Sequence, residues 1–355
     1  MASSSYTEPD THGRAGLSRR GDSANQSVWA ALTDVTRVVR RRSGPASGWH
    51  AVDMSHGLPI RVEDVPSHRW ECGEIGATRR RLGRACGAKR LGIALIEIDP
   101  GRRSTPPHSH ADEDEVFLVL AGGGLSYQTS GPGDVHTYTI GVDDLLWHPA
   151  NESAHTLIAG DEGLTVLVAA EGSRTNITYL PRTQQFWLGP VWSPAGSAHP
   201  FAADAELGPL ELPEPTRQRP PTIRSLAELP LAVGRDGRLA HATRDARDMG
   251  SDRLVFAQDE MPPETHNTEL HFHSAREEAW FVRSGHGVAR LGEEAHPLQS
   301  GSFWLCPQNT GVGHRIEVGA DGMQLVTIGD LIPGDVCVYP EKRTFKPARG
   351  VELPY

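Results

Sequence analysis

The feature that most constrains this chain is that it repeats itself. Gly87-Ala88-Lys89-Arg90-Leu91 returns as Gly250-Ser251-Asp252-Arg253-Leu254 at an offset of 163 residues. At the same offset His108, His110, Glu115 and Gly122 return as His271, His273, Glu278 and Gly285. Tyr179-Leu180-Pro181 through Phe186 is echoed by Val338-Tyr339-Pro340 through Phe345. A pattern kept at one offset means two copies of one module. The length of 355 residues suits two domains of ~100–200 residues each.

The module reads as β. Leu91–Ile98, Glu115–Leu120 and Leu164–Ala170 are short apolar, β-branched runs, and turn residues such as Pro100-Gly101 and Gly122-Gly123-Gly124 follow the first two. Gly and Pro total 65, which fits many short strands joined by turns better than a helical architecture. Four boundaries follow. Residues 1–65 form a mostly irregular extension, and 66–200 the first β domain. Residues 201–235 form a linker stiffened by Pro209, Pro213, Pro215, Pro220, Pro221 and Pro230, and 236–355 the second domain. Within the extension only Val28–Val39 is periodic enough for a short helix, followed by Arg40-Arg41-Arg42. The extension is expected to contribute little to any site.

Charge excludes some functions. The net charge of -10 argues against a nucleic-acid binder, which needs a basic face. No apolar run is long enough to span a membrane, and the start MASSSYTEPDTHGR lacks the apolar core of a secretory signal. Cys72, Cys86, Cys306 and Cys337 form no CxxC pair, which rules out a zinc ribbon or disulfide framework and points to a reducing, cytoplasmic setting. Cys306 reads as a small buried apolar residue.

The chemistry lies in the repeated histidines. His-x-His on a strand puts both imidazoles on one face, because side chains alternate with period two. The polar stretch Ala111–Asp114 can turn, so that Glu115 begins the next strand facing inward again. His155 in the first copy and His314 in the second complete each set. Three neutral imidazoles and a carboxylate suit Fe, Mn, Ni, Co or Zn, with two octahedral positions left open. The predicted ligands are therefore His108, His110, Glu115 and His155, and His271, His273, Glu278 and His314. If Glu115 faces inward, so do Phe117 and Val119, and after Glu278 so do Trp280 and Val282. Phe117 and Trp280 then form aromatic walls. Glu269, two residues before His271, is predicted to share its face as a catalytic acid or base, or to pair with an arginine such as Arg290 at the mouth. The first copy has Pro106 at that place, so the second domain is expected to be the more reactive.

These residues resemble the cupin superfamily, and the two copies together resemble a bicupin. The family's first motif is Gly, five residues, His-x-His, three or four residues, Glu, six residues, Gly. Glu115 to Gly122 and Glu278 to Gly285 match it, while Gly101 sits one residue early and Glu264 takes its place in the second copy. The second motif is looser here, from Pro149 to His155 and from Pro307 to His314, with Asn151 and Gly311 in the turns. The resemblance covers about residues 75–190 and 240–345. It implies an all-β fold of two tandem double-stranded β-helix, jelly-roll barrels, each with its metal inside.

The function this implies is a metal-dependent enzyme, foremost a dioxygenase-type oxidoreductase using Fe or Mn on a small organic substrate. The resemblance also allows an oxalate-type decarboxylase, an isomerase or a lyase. Decarboxylation of a small diacid would want an arginine and a mobile glutamate over the metal, and the sequence does not place that pair. A non-catalytic binding or storage cupin is the third reading, against which the eight retained ligands weigh. Neither nucleic acid nor membrane is expected as a partner, and homo-oligomerisation stays open.

Overall fold

The computed structural model describes residues 57–172, 176–188, 191–194, 197–347 and 353–354. The periodic Val28–Val39 stretch and Arg40–Arg42 lie outside the described residues. Among the described residues no helix is long and apolar enough to cross a membrane.

Each copy of the module folds into an eight-stranded antiparallel sheet and a four-stranded one. In the first barrel the large sheet runs Ile223–Ser225, Asp144–His148, Glu115–Gly131, Ala154–Glu171, Leu91–Ile98, Ile75–Arg80, Ser67–Cys72, and Asp134–Gly141 pairs with Glu115–Gly131. The small sheet holds Ser109–His110 at its edge, beside Thr178–Leu180. The second barrel repeats the order: Ile60–Arg61, Ser302–Cys306, Glu278–Leu291, His314–Asp330, Leu254–Met261, Leu239–Asp245, Ala232–Asp236, with Phe272–His273 at the edge of its small sheet.

Each long central strand of this fold must bend. The glycine seven residues beyond each motif glutamate is where it does so. Gly122 and Gly285 have φ of 71° and 82°, and a Cβ there would sit 2.1 Å from Gly163 O and 2.2 Å from Gly322 O. Only glycine allows that approach together with a positive φ.

Alternation sorts the side chains into three cores. Phe117, Val119, Ala94, Ile96 and Ile98 fill the first barrel, and Trp280, Val282, Met261 and Leu325 the second. The opposite faces of the same strands, Val116, Leu118, Leu91 and Ile93 with Ala279, Phe281, Leu254 and Phe256, make a third core between the barrels. Strands buried on both faces explain why these segments read as continuous apolar runs.

The barrels also exchange edge strands. Ile60 and Arg61, ahead of the first barrel, pair with Phe303 and Ser302 of the second. Ile223–Ser225, ahead of the second, pairs with Leu146–Asp144 of the first. Residues 57–65 are therefore not a loose extension: Val62 and Val65 are buried in the shared core, and the Trp304 indole donates to Gly57 O at 2.6 Å. Nor is 201–235 a free connector. Asp204 is fully buried against Arg103 and Arg182, Arg219 pairs with Asp144, and Leu226 and Leu229 join the shared core. Proline richness marks a segment that cannot fill a central strand, but it leaves the segment free to lie along a barrel edge.

A chain starting at Ser67 should accordingly lose much of its stability relative to one starting at Gly57. Two buried valines are worth about 3–6 kcal/mol, and leaving the Trp304 N–H unsatisfied costs about 1–3 kcal/mol more. Urea unfolding measures this directly, and equal midpoints would show that the exchanged edge carries no load.

Candidate metal centres

The ligand sets are assembled by the backbone before any side chain is considered. His108 N–H donates to His155 O at 3.1 Å and His155 N–H returns the bond to His108 O at 2.9 Å. The same closed pair joins His271 and His314, at 3.2 and 2.7 Å. Two imidazoles are thus held side by side, their centroids 4.9 and 4.5 Å apart and their planes tilted by 45° and 58° in the two barrels. His110 and His273, two residues further along, pair instead with Thr178 and Cys337 of the small sheets. The turn before the last histidine is pinned by an asparagine with positive φ, whose N–H reaches the second His-x-His carbonyl. Asn151 does this at 2.6 Å to His110 O, and Asn309 at 2.7 Å to His273 O. Asn309, not Gly311, is therefore the counterpart of Asn151, and the second turn is one residue longer before its histidine.

In the first centre one carboxylate oxygen gathers the rings. Glu115 Oε2 lies 3.0 Å from His155 Nε2, 3.3 Å from His110 Nε2 and 4.0 Å from His108 Nε2. In the second, Glu278 Oε2 lies 3.1 Å from His271 Nε2 and 3.3 Å from His314 Nε2, and Oε1 lies 3.4 Å from His273 Nε2. One donor atom each from His108, Glu115 and His155, and one each from His271, Glu278 and His314, fall within 4.8 Å of one another. His110 Nε2 is buried without an aligned hydrogen-bond partner, as a ring nitrogen awaiting another ligand would be. Three imidazole nitrogens and one carboxylate fit a divalent transition metal in each barrel.

Protonation favours the same reading. Burial pushes His108 down to about 3 and His314 down to about 4, so both are neutral ligands at neutral pH. Burial alone would raise Glu115 and Glu278. The facing histidines, joined by Arg276 at Glu278, outweigh it and hold both carboxyls well below their usual range. His273 resists burial because Glu278 and Asp335 push it up to about 9. Metal entering the second centre must displace that proton.

Behind the ligands the two centres diverge. His110 Nδ1 meets the amide of Asn176 at 2.9 Å and the Thr178 hydroxyl at 3.2 Å. Its counterpart His273 donates Nδ1–H to the Asp335 carboxylate at 2.6 Å. Asp335 also accepts from the N–H groups of Ala275 and Arg276. Glu113, one repeat before Arg276, stands 3.8 Å from His110 Nδ1, and burial together with Glu115 pushes it up to about 7. Arg276 instead binds Glu278 Oε1 at 3.1 Å.

The predicted neighbours fall out unevenly. Phe117 packs in the first barrel, its ring 6.1 Å from His155, and Trp280 stands edge-on to His314 at 5.5 Å. Cys306 is 3% exposed and its thiol is pushed far up by burial. Glu269 does not share the inward face of His271. The strand begins only at Phe272, so alternation does not reach back to it, and its carboxylate turns to Lys342 Nζ at 3.1 Å. Only its backbone carbonyl touches the centre, accepting from His271 Nδ1 at 2.9 Å. Arg290 is bound to Glu317, at 3.2 and 2.9 Å, and does not line the cavity beside His271.

Sequence reasoning missed three interior residues. His148 stacks on His155 with centroids 3.8 Å apart and planes 7° from parallel. Arg79 and Asp259 lie on the strands ahead of the motifs, where alternation from Ala77 and Met261 would have turned them inward.

Residues 94–170 match the family model described as "Cupin domain". A point mutant of oxalate decarboxylase from Bacillus subtilis superposes with a TM-score of 0.54 over 77% of both chains at 18% identity. By fold, the chain is a bicupin. A structure of the same Bacillus subtilis enzyme at pH 4.6 gives 0.52 over 77% of this chain and 76% of that one, at 17% identity. Another structure of that decarboxylase, described for its Mn(II) centres, gives 0.52 over 77% of both chains at 16% identity. No curated protein matches this bicupin.

Two metals per chain are expected. Replacing His108 and His110 by Ala should remove one and replacing His271 and His273 the other, as read by elemental analysis; unchanged loading in either double variant would sink the assignment. Because a carboxylate behind a ligating imidazole raises its basicity, Asp335→Asn should weaken metal binding at the second centre about 10–100-fold. Chelator competition would show this, and the first centre should be unaffected.

Proposed function

We propose that this bicupin is a metal-dependent enzyme and that its first barrel turns over a small carboxylic acid. The observation that carries the reading is Arg79. It follows Ala77 on the inward face of Ile75–Arg80 and pairs in register with Ile96, a residue of the first interior core. Its Nε is buried without a partner, and among the described residues its guanidinium makes no hydrogen bond or ion pair. Burial, with the nearby Arg81, pulls its guanidinium below the ordinary value, and the charges of Glu115 and Glu113 oppose that only in part. A buried guanidinium left unpaired costs several kcal/mol, and a bidentate carboxylate is the partner its planar fork fits. Arg79 would supply the arginine that decarboxylation of a diacid wants, whereas Glu113 stands behind His110 and accepts from the Asn176 amide.

His108, His110, Glu115 and His155 would hold the metal, which when bound supplies Lewis acidity or redox chemistry at its open positions. Arg79 would hold one carboxylate of the substrate, and Phe117 would exclude water from the wall beside His155. The likeness to oxalate decarboxylases, at 16–18% identity, supports a decarboxylase acting on a dicarboxylate and puts Mn first among the metals. The dioxygenase reading, with Fe, stands second. It is supported by the three-imidazole, one-carboxylate set with open positions and by the aromatic wall.

The test is turnover of oxalate and related mono- and dicarboxylates by metal-loaded protein, following carbon dioxide and oxygen separately. Carbon dioxide release without oxygen consumption supports decarboxylation; stoichiometric oxygen uptake supports the second reading. In either case Arg79→Ala should lower kcat/KM about 10–100-fold, the worth of a charge-assisted hydrogen bond, with Arg79→Lys intermediate and metal content unchanged. Preserved kcat/KM in Arg79→Ala would overturn the carboxylate assignment.

A further inference from the structure

The two centres share their candidate ligands but not the residue that stands beside the glutamate. In the second barrel the Arg276 guanidinium pairs with Glu278, its Nη2 standing 3.1 Å from Oε1. The backbone of Arg276 is fixed as well, its N–H donating to the Asp335 carboxylate at 3.2 Å. One repeat earlier the residue is Glu113. Among the described residues the ion pairs of Glu115 are with His108, His110 and His155, and no arginine joins them.

Room for the guanidinium is built into the sheet. Glu278 pairs in register with Gly329, where Glu115 pairs with Ala170. A Cβ on Gly329 would lie 2.5 Å from Arg276 Nη2, 2.6 Å from Nε and 2.9 Å from Cζ. Gly329 is not among the glycines with positive φ, so its backbone conformation does not demand glycine. The approach of the arginine does. Ala170, 5% exposed, fills the equivalent place in the first barrel with its methyl group. Arginine with glycine in one barrel, and glutamate with alanine in the other, are matched pairs.

The consequence falls on the carboxylate. Glu278 Oε2 lies 3.1 Å from His271 and 3.3 Å from His314, whereas Oε1 is shared between His273 and Arg276. In the first centre all three imidazoles make their shortest approach to the same oxygen, Glu115 Oε2. A carboxylate ligates a metal through one oxygen or through both. Chelation through both closes one of the two octahedral positions that three imidazoles and a single oxygen leave open. A guanidinium on Oε1 opposes chelation twice, by engaging that oxygen and by repelling a metal cation that approaches it.

We propose that Arg276 is a positioning residue that restricts Glu278 to ligation through one oxygen. The second centre then keeps both open positions for exogenous ligands, while the first can close one through Glu115. This assignment rests on the metal reading of the second centre and is independent of the carboxylate reading of the first barrel.

The experiment uses the full chain carrying His108→Ala and His110→Ala, so that cobalt(II) occupies the second centre alone, with azide as the exogenous ligand. Arg276→Gln removes the guanidinium. Gly329→Ala copies Ala170 and pushes the guanidinium off Glu278 while keeping its charge. In both variants the visible absorption of the resting cobalt centre should change, and azide should bind about tenfold more weakly. Cobalt should be held at least as tightly as in the parent, because a released carboxylate chelates. Unchanged absorption or unchanged azide affinity in both variants overturns the proposal. So does an effect confined to one of them, which would assign it to charge or to the added methyl group alone. Loss of cobalt from both also overturns it, since Arg276 would then be a structural support. Should Arg276→Gln fail to fold, Gly329→Ala decides alone. A parent that holds no cobalt would overturn the ligand assignment at the second centre and this proposal with it.

Discussion

Each barrel has two apolar surfaces to cover, and only one of them is its own interior. The outward faces of Leu91–Ile98 and Leu254–Met261 carry Leu91, Ile93, Leu254 and Phe256, which no solvated surface would tolerate together. They are covered by packing barrel against barrel, and much else follows from that. The repeated Gly-x-x-Arg-Leu segment becomes the clasp at the rim of this shared core. Glu277, fully buried, accepts the backbone N–H groups of Lys89, Arg90 and Leu91 at 2.7–3.0 Å. Arg90 binds Asp330, and its repeat mate Arg253 binds Glu171. One contact used twice with partners reversed is what a two-fold interface between identical subunits would give, here built within one chain. The exchanged edge strands Ile60–Arg61 and Ile223–Ser225 follow the same reciprocity and leave each large sheet with one fewer open edge.

Within that frame the metal ligands sit where little can change. The first and last histidines of each set are held by the backbone pair His108–His155 or His271–His314, and one oxygen of each glutamate is shared among imidazoles, so loss of one of these groups leaves buried charge uncompensated at the others. Residues one layer out are under no such mutual constraint. There Asn176 stands for Asp335, Glu113 for Arg276, and Arg79 with Ile96 for Thr243 with Asp259. The same candidate ligands thus recur in two different surroundings.

What the sequence disclosed, and what it hid, follows the same division. The ligand pattern was legible because His-x-His, Glu and Gly recur at one offset, and the inward turn of Phe117 and Trp280 because a strand continues unbroken from each glutamate. Glu269 was misplaced because alternation was carried back across a segment that is not strand; the ladder there starts at Phe272. Residues 57–65 looked dispensable because a two-residue edge strand has no periodicity to detect, and its partner at Ser302–Phe303 is some 240 residues away. Arg79 and Asp259 lay outside the motifs. Alternation from the interior residues Ala77 and Met261 shows which way they face.

The pairing of Arg79 with Ile96, and of Thr243 with Asp259, leaves one charged residue in each pair, so neither barrel carries both charges there. A guanidinium and a carboxylate placed at both positions of one barrel would neutralise each other across the strand pair and leave nothing for a ligand. With the cation facing an aliphatic side chain in one barrel, and the carboxylate facing a hydroxyl in the other, each charge keeps unsatisfied capacity directed at the interior. Buried charge of that kind is costly to the fold, and a ligand of matching chemistry offsets the cost.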